Sequence, residues 1–189
     1  MSDELATQYH KRFGLEVECW NIGRKYGNFH ILRDDNFEKM FERAAANKKG
    51  LVLLTATLVC RRCRREMEGF RDMARGNPDM DFALANLNSP LFKFYDRVFG
   101  DMSGGGDADE FRKSAAGVTP YIILYKTGGA GELEYVTYYG TGKAEATPTH
   151  FDGQDMIDYH IHGKPGFELP EHLTAFHQDL QEKYRAKEG

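Results

Sequence analysis

Cys60-Arg-Arg-Cys63 is the part of this sequence best equipped for chemistry. Two thiols separated by two residues can close a disulfide, supply half of a zinc site, or stand as reduced, inert thiols. The thiolate is the reactive form, and an ordinary cysteine with a pKa of about 8.5 is mostly protonated at neutral pH. A redox pair therefore needs positive potential close by. Arg61 and Arg62 lie between the cysteines, and Arg64 and Arg65 follow directly. A unit positive charge about 7 Å from a sulfur in a water-like dielectric favours the thiolate by about 0.6 kcal/mol before screening. Zinc needs four ligands; His160-x-His162 is the attractive partner pair, and a second C-x-x-C is absent from the sequence. No metal and no bound cofactor is assigned. Cys19, beside Trp20, reads as a half-buried apolar residue.

The elements that would position the pair follow from hydrophobic period and from capping residues. Leu51–Leu58 is largely apolar with β-branched members, the pattern of a central strand covered on both faces. Cys63, Met67, Phe70 and Ala74 recur at helical spacing, which predicts a helix starting beside Cys60 and stopped by Gly76-Asn77-Pro78. Upstream, Phe29–Leu32 is a short strand. Asp34 or Asp35 is then expected to cap a helix through about Asn47, with Phe37, Met40, Phe41 and Ala44 as its apolar stripe and Gly50 closing the helical region. Downstream come a strand at Met80–Leu87, a long connection over 88–116, and strands at Pro120–Lys126 and Glu132–Tyr139 joined as a hairpin through a glycine-rich turn. A helix is predicted over Asp152–His162, ended by Gly163 and Pro165, and an amphipathic one near the C-terminus through Leu173, Phe176, Leu180 and Tyr184. Within the connection, Leu91, Phe92, Phe94, Tyr95, Val98 and Phe99 predict a short amphipathic helix, and Asp101–Asp109, which holds three consecutive glycines, is expected to be exposed and mobile.

In this order, strand, Cys60-Arg-Arg-Cys63, helix, strand, long connection, Thr119-Pro120, hairpin, helix, the chain resembles the thioredoxin superfamily from about Phe29 to His162. The resemblance implies an α/β fold with a central mixed sheet of four or five strands, helices on both faces, and appended N- and C-terminal extensions. The expected division is an extension over 1–28, the thioredoxin-like domain over 29–163 with the inserted connection at about 88–116, and a helical extension over 164–189. It also implies that the Thr119–Pro120 bond is cis and lies against the cysteine pair, where Thr119 and Pro120 contact the substrate chain; a cis X–Pro bond costs little. Cys60, at the positive end of the helix, is then the attacking thiolate and Cys63, one turn on, the resolving thiol. Arg61 and Arg62 tune the pKa of Cys60 downward, which makes the disulfide more oxidising and suits an oxidant or isomerase. The function implied is thiol–disulfide exchange with cysteines of partner proteins. The positions that carry aromatic residues and a buried acid in thioredoxins hold Val59, Ala56 and Leu54 here, and neither Glu66 nor Glu68 is an evident substitute. This departure keeps open a second reading, a redox-silent interaction module or subunit of a larger assembly.

Composition narrows the partners. With 189 residues, 41% of them hydrophobic, the chain can bury a core. A net charge of −4 gives no general attraction to nucleic acid or anionic membrane, so no partner of either kind is expected. Apolar runs are too short to span a bilayer, and the N-terminus lacks the pattern of a signal peptide; a cytoplasmic location is the expectation. Arg61–Arg65 is either a solvated helix face, with Arg64 and Glu68 paired at i,i+4, or the docking face for an anionic partner. The glycine run 104–106 leads into acidic residues and has no phosphate-binding lysine.

Overall fold

The apolar run that starts at Leu51 sits at the centre of the sheet. The computed structural model describes residues 27–56, 61–87, 91–103, 121–140 and 153–165. In it, β2 (Gly50–Ala56) is buried at every residue, because it has a neighbour on each edge and helices over both faces. β3 (Asp81–Asn86) runs parallel to it, with Leu51 opposite Asp81 and Ala56 opposite Asn86. β4 (Tyr121–Thr127) runs antiparallel, with Thr55 opposite Tyr121. β1 (Phe29–Leu32) adds in parallel beside β3, and β5 (Leu133–Gly140) returns antiparallel beside β4, so the order is β1-β3-β2-β4-β5. This is a mixed five-stranded α/β sheet, with the hairpin strands at one end.

Strand alternation sorts the core into two layers. Leu51 and Leu53 pack with α1 (Phe37–Asn47) and with the helical stretch α3, which comprises Phe92–Phe94, a π-helical turn Tyr95–Phe99, and Gly100–Met102. Val52, Leu54 and Ala56 pack with α2 (Arg61–Gly76) and α4 (Gly153–His160). The expected stripe of α1 is buried in full, and Phe41 stands edge-on to Tyr125 of β4 at 5.2 Å between ring centres.

Several local expectations need correction. Neither Asp34 nor Asp35 caps α1: Asn36 holds the N-cap position without a side-chain cap bond. The Asn36 side chain accepts the Arg33 N–H and donates to the Ile31 carbonyl, while Asp35 pairs with Arg33 at 2.9 Å. Asp34 reaches across to α3. Gly50 does not close the helix but opens β2, where a Cβ would collide with the Tyr125 carbonyl oxygen and lie 3.0 Å from Met80 Cε. In the connection, Leu91, Phe94, Val98 and Phe99 are buried as expected, whereas Phe92 is 68% exposed. Two positions before the buried Phe94, it falls on the other side of that α-helical turn. Asp101 and Met102 are helical and Met102 is buried, so the exposed stretch does not begin at Asp101. The described part of the connection therefore forms core on the α1 face and does not cover the face that carries Cys63. No helix among the described residues is long and apolar enough to cross a membrane. Residues 1–26 of the expected N-terminal extension over 1–28, the remainder of the connection, and the helix through Leu173 and Tyr184 lie outside the described residues.

Candidate functional site

α2 begins five residues after Ala56, beyond the carboxyl end of the central strand. That end of a parallel α/β sheet is where such folds place their chemistry. Cys63 is the third residue of α2 and is fully buried, in one cluster with Met67, Phe70 and Ala74 and with Leu54 and Ala56 of β2. It is disulfide-bonded. Cys19 and Cys60 lie outside the described residues, as do Thr119 and Pro120. Arg61 and Arg62 open α2, whose first turn contains no acidic residue. The positive pole of the helix, equivalent to about half a charge, therefore has no carboxylate of its own helix to offset it in that turn.

The helix is held firmly at its other end. The Asn28 side-chain N–H groups donate to the carbonyls of Ala74, Asn77 and Met80 at 2.8, 3.1 and 3.2 Å. Asn77 donates to the Met73 carbonyl and to Gln154 of α4. Phe70 stands edge-on to Phe29 and Phe82, both at 5.4 Å, which presses the middle of α2 onto the sheet. Cys63 thus belongs to a rigid element seated on the core.

Thr55 lies one residue before the end of β2 and is fully buried. Its hydroxyl oxygen accepts the Tyr121 backbone N–H at 2.9 Å and lies 3.4 Å from the Tyr121 carbonyl oxygen, to which it can donate. Sequence reasoning did not single it out, because a threonine in a strand is ordinary β-branched filling.

A buried acid does exist in the sheet, but elsewhere. Asp81 is fully buried at the start of β3, with His30 Nε2 at 3.4 Å from one carboxylate oxygen and Arg43 Nε at 3.6 Å from the other. It pairs with Leu51, five residues from Ala56, or about 17 Å along the strand. Asp81 therefore does not replace the acid missing from Leu54 and Ala56; it ties β1, β3 and α1 together at the opposite end. Of the two histidines considered for zinc, His160 ends α4 and His162 lies two residues beyond it. His160 packs against the Tyr159 ring at 4.9 Å, and burial, with Lys126 nearby, holds its pKa below the usual value. His162 Nε2 lies 3.4 Å from Asn77 Oδ1. Among the described residues there is no group of three or more metal-ligating side chains.

No family model matches the chain, and neither does any curated protein. Among solved structures, the long form of thioredoxin F from spinach chloroplast is similar over 62% of this chain and 81% of its own, with 18% identity and a TM-score of 0.41.

Proposed function

We propose that the chain is a thiol–disulfide oxidoreductase that exchanges disulfides with protein substrates through Cys60 and Cys63. The observation that carries this reading is the disulfide-bonded, fully buried sulfur of Cys63, set in the first turn of a helix that follows the central strand. In the reducing direction, the Cys60 thiolate attacks one sulfur of a substrate disulfide and displaces the other as a thiolate. Cys63, deprotonated, then attacks the Cys60 sulfur, frees the second substrate thiolate and closes the Cys60–Cys63 disulfide. Two electrons pass to the substrate, and the reverse sequence oxidises a substrate dithiol. Shielding of Cys63 suits a resolving role, since a buried thiol meets Cys60 more readily than an outside disulfide. Thr119 and Pro120 are the substrate-contacting residues in this reading, and Arg61 and Arg62 lower the Cys60 pKa. The run Arg61–Arg65 favours substrates whose cysteines are flanked by acidic residues.

The test uses the full chain and insulin as a disulfide probe. Wild-type protein is expected to exchange disulfides, Cys60→Ser to be inactive, and Cys63→Ser to accumulate a mixed disulfide that mass spectrometry detects. A wild-type chain that never exchanges disulfides would sink the reading. The redox-silent interaction module would then stand in its place, favoured by the apolar Leu54 and Ala56 on the strand face behind Cys63.

A further inference from the structure

The two segments on which disulfide exchange depends, the cysteine pair and Thr119-Pro120, are far apart in sequence. The strands that carry them are bonded to each other. β2 leads to the cysteine pair, β4 leads away from Pro120, and Thr55 pairs with Tyr121 near the end of β2. At that pair the main-chain ladder is supplemented by a side chain: Thr55 Oγ1 takes the Tyr121 N–H at 2.9 Å and lies 3.4 Å from the Tyr121 carbonyl oxygen. The N–H belongs to the peptide unit that joins Pro120 to Tyr121, so a hydrogen bond there restricts rotation of that unit. Both residues are fully buried, and a bond shielded from water holds its geometry better than an exposed one.

We infer that Thr55 is a positioning residue for disulfide exchange: its hydroxyl fixes the backbone of Tyr121, the residue that follows Pro120 in the chain, against the end of β2, and so steadies the start of β4 beside which the substrate chain docks. This rests on the oxidoreductase reading. In this reading Thr55 supplies no group to the thiol chemistry itself. Its effect therefore falls on substrate binding, while the relative stability of the dithiol and disulfide forms is left alone.

The experiment compares Thr55→Val, which keeps the branched shape and removes the hydroxyl, with Thr55→Ser, which keeps the hydroxyl. Each full-length variant is assayed with insulin, at equal concentrations of folded protein. Losing one hydrogen bond that orders the docking edge should raise KM about three- to ten-fold in Thr55→Val. Its kcat and the redox potential of the cysteine pair should match wild type, and Thr55→Ser should return KM to the wild-type value. If Thr55→Val does not fold, Thr55→Ala carries the same comparison. An unchanged KM in the hydroxyl-free variant, a shifted redox potential, or failure of Thr55→Ser to restore KM would overturn the inference while leaving the oxidoreductase reading intact. A wild-type chain without exchange activity overturns both, which distinguishes the two failures.

Discussion

The Asp34 carboxylate accepts the backbone N–H groups of both Phe92 and Lys93, at 2.9 and 3.1 Å. A residue from the turn after β1 thereby caps a helix nearly sixty positions later, and Lys93 reinforces the junction through Glu38 of α1 at 2.9 Å. The first N–H groups of a helix have no partner within it, and a carboxylate there also meets the positive pole. Asp34→Ala is expected to lower folding stability by about 1 kcal/mol, with a smaller loss for Asp34→Asn, which keeps an acceptor. Urea denaturation of the variants measures it. Equal losses in the two would show that the cap contributes nothing specific.

Gly50 makes a sharper case. The Tyr125 carbonyl oxygen occupies the space a Cβ would need, and that oxygen belongs to a strand locked between β2 and β5. Main chain in a central sheet cannot move aside as a flexible side chain can. Gly50→Ala should therefore cost about 1–3 kcal/mol, the range for overpacking a core, although alanine is otherwise favourable in replacing glycine. A variant as stable as wild type in thermal melting would mean that the β2–β4 pair gives way locally.

How much of this was legible beforehand differs between periodic and non-local features. The stripe Phe37, Met40, Phe41, Ala44 and the stripe Cys63, Met67, Phe70, Ala74 were readable because burial of one helix face imposes a 3.6-residue period on the sequence itself. The strand at Leu51 was readable because two covered faces demand an unbroken apolar run. Asp34 reads as a cap for the nearest helix start, since sequence gives no sign that a carboxylate will cap a distant one. Gly50 looked like a helix stop for the same reason: the constraint on it comes from Tyr125, remote in the chain. Asp81 and Thr55 likewise acquire their partners only when β3 and β4 take their register. Of the candidate site, Cys63 could be placed on the core face of its helix from spacing alone. The hydroxyl that joins β2 to Tyr121 could not.

Acid should destabilise the protein in two stages. Burial, with the positive charge of Lys126, holds the folded-state pKa of His160 below 6.5, so the unfolded chain takes up that proton first. The associated stability is fully present above pH 6.5 and is lost as pH falls through the lower folded value. The second stage belongs to carboxylates held below 3.8. A hydrogen bond from Lys164 does this for Asp158; for Asp79, burial acts to raise the value but is outweighed by the hydrogen bond and charge of Lys49. Their contributions hold above 3.8 and disappear below it. Urea midpoints measured from about pH 8 to about pH 3 should fall in both ranges. His160→Gln should flatten the upper stage, and Asp158→Asn should shrink the lower one. An unaltered upper stage in His160→Gln would assign it to another group.

The phenol of Tyr125 donates to Asp101 Oδ2 at 2.7 Å beneath α3. The Tyr125 ring is fully buried between Phe41 and Tyr135, at 5.2 and 5.8 Å. Burial first, and then the Asp101 carboxylate, push its pKa far above the ordinary 10.0, so the phenol stays protonated and acts only as a donor to that carboxylate. Asp101 also faces Arg97 at 3.4 Å, whose guanidinium sits 5.7 Å from the centre of the Phe41 ring. The two ends of the bond are therefore unequal. Tyr125→Phe removes a donor and leaves Asp101, which is partly exposed and paired with Arg97, able to find water; the expected cost is about 1 kcal/mol. Asp101→Ala leaves a buried hydroxyl without that acceptor, and the expected cost is about 1–3 kcal/mol. In the double variant, Tyr125→Phe should recover much of the loss caused by Asp101→Ala, because the stranded hydroxyl is gone. A double-mutant cycle in urea reads the coupling directly. Additive losses would mean that Asp101 stabilises α3 through Arg97 alone and that its bond to the sheet is energetically idle.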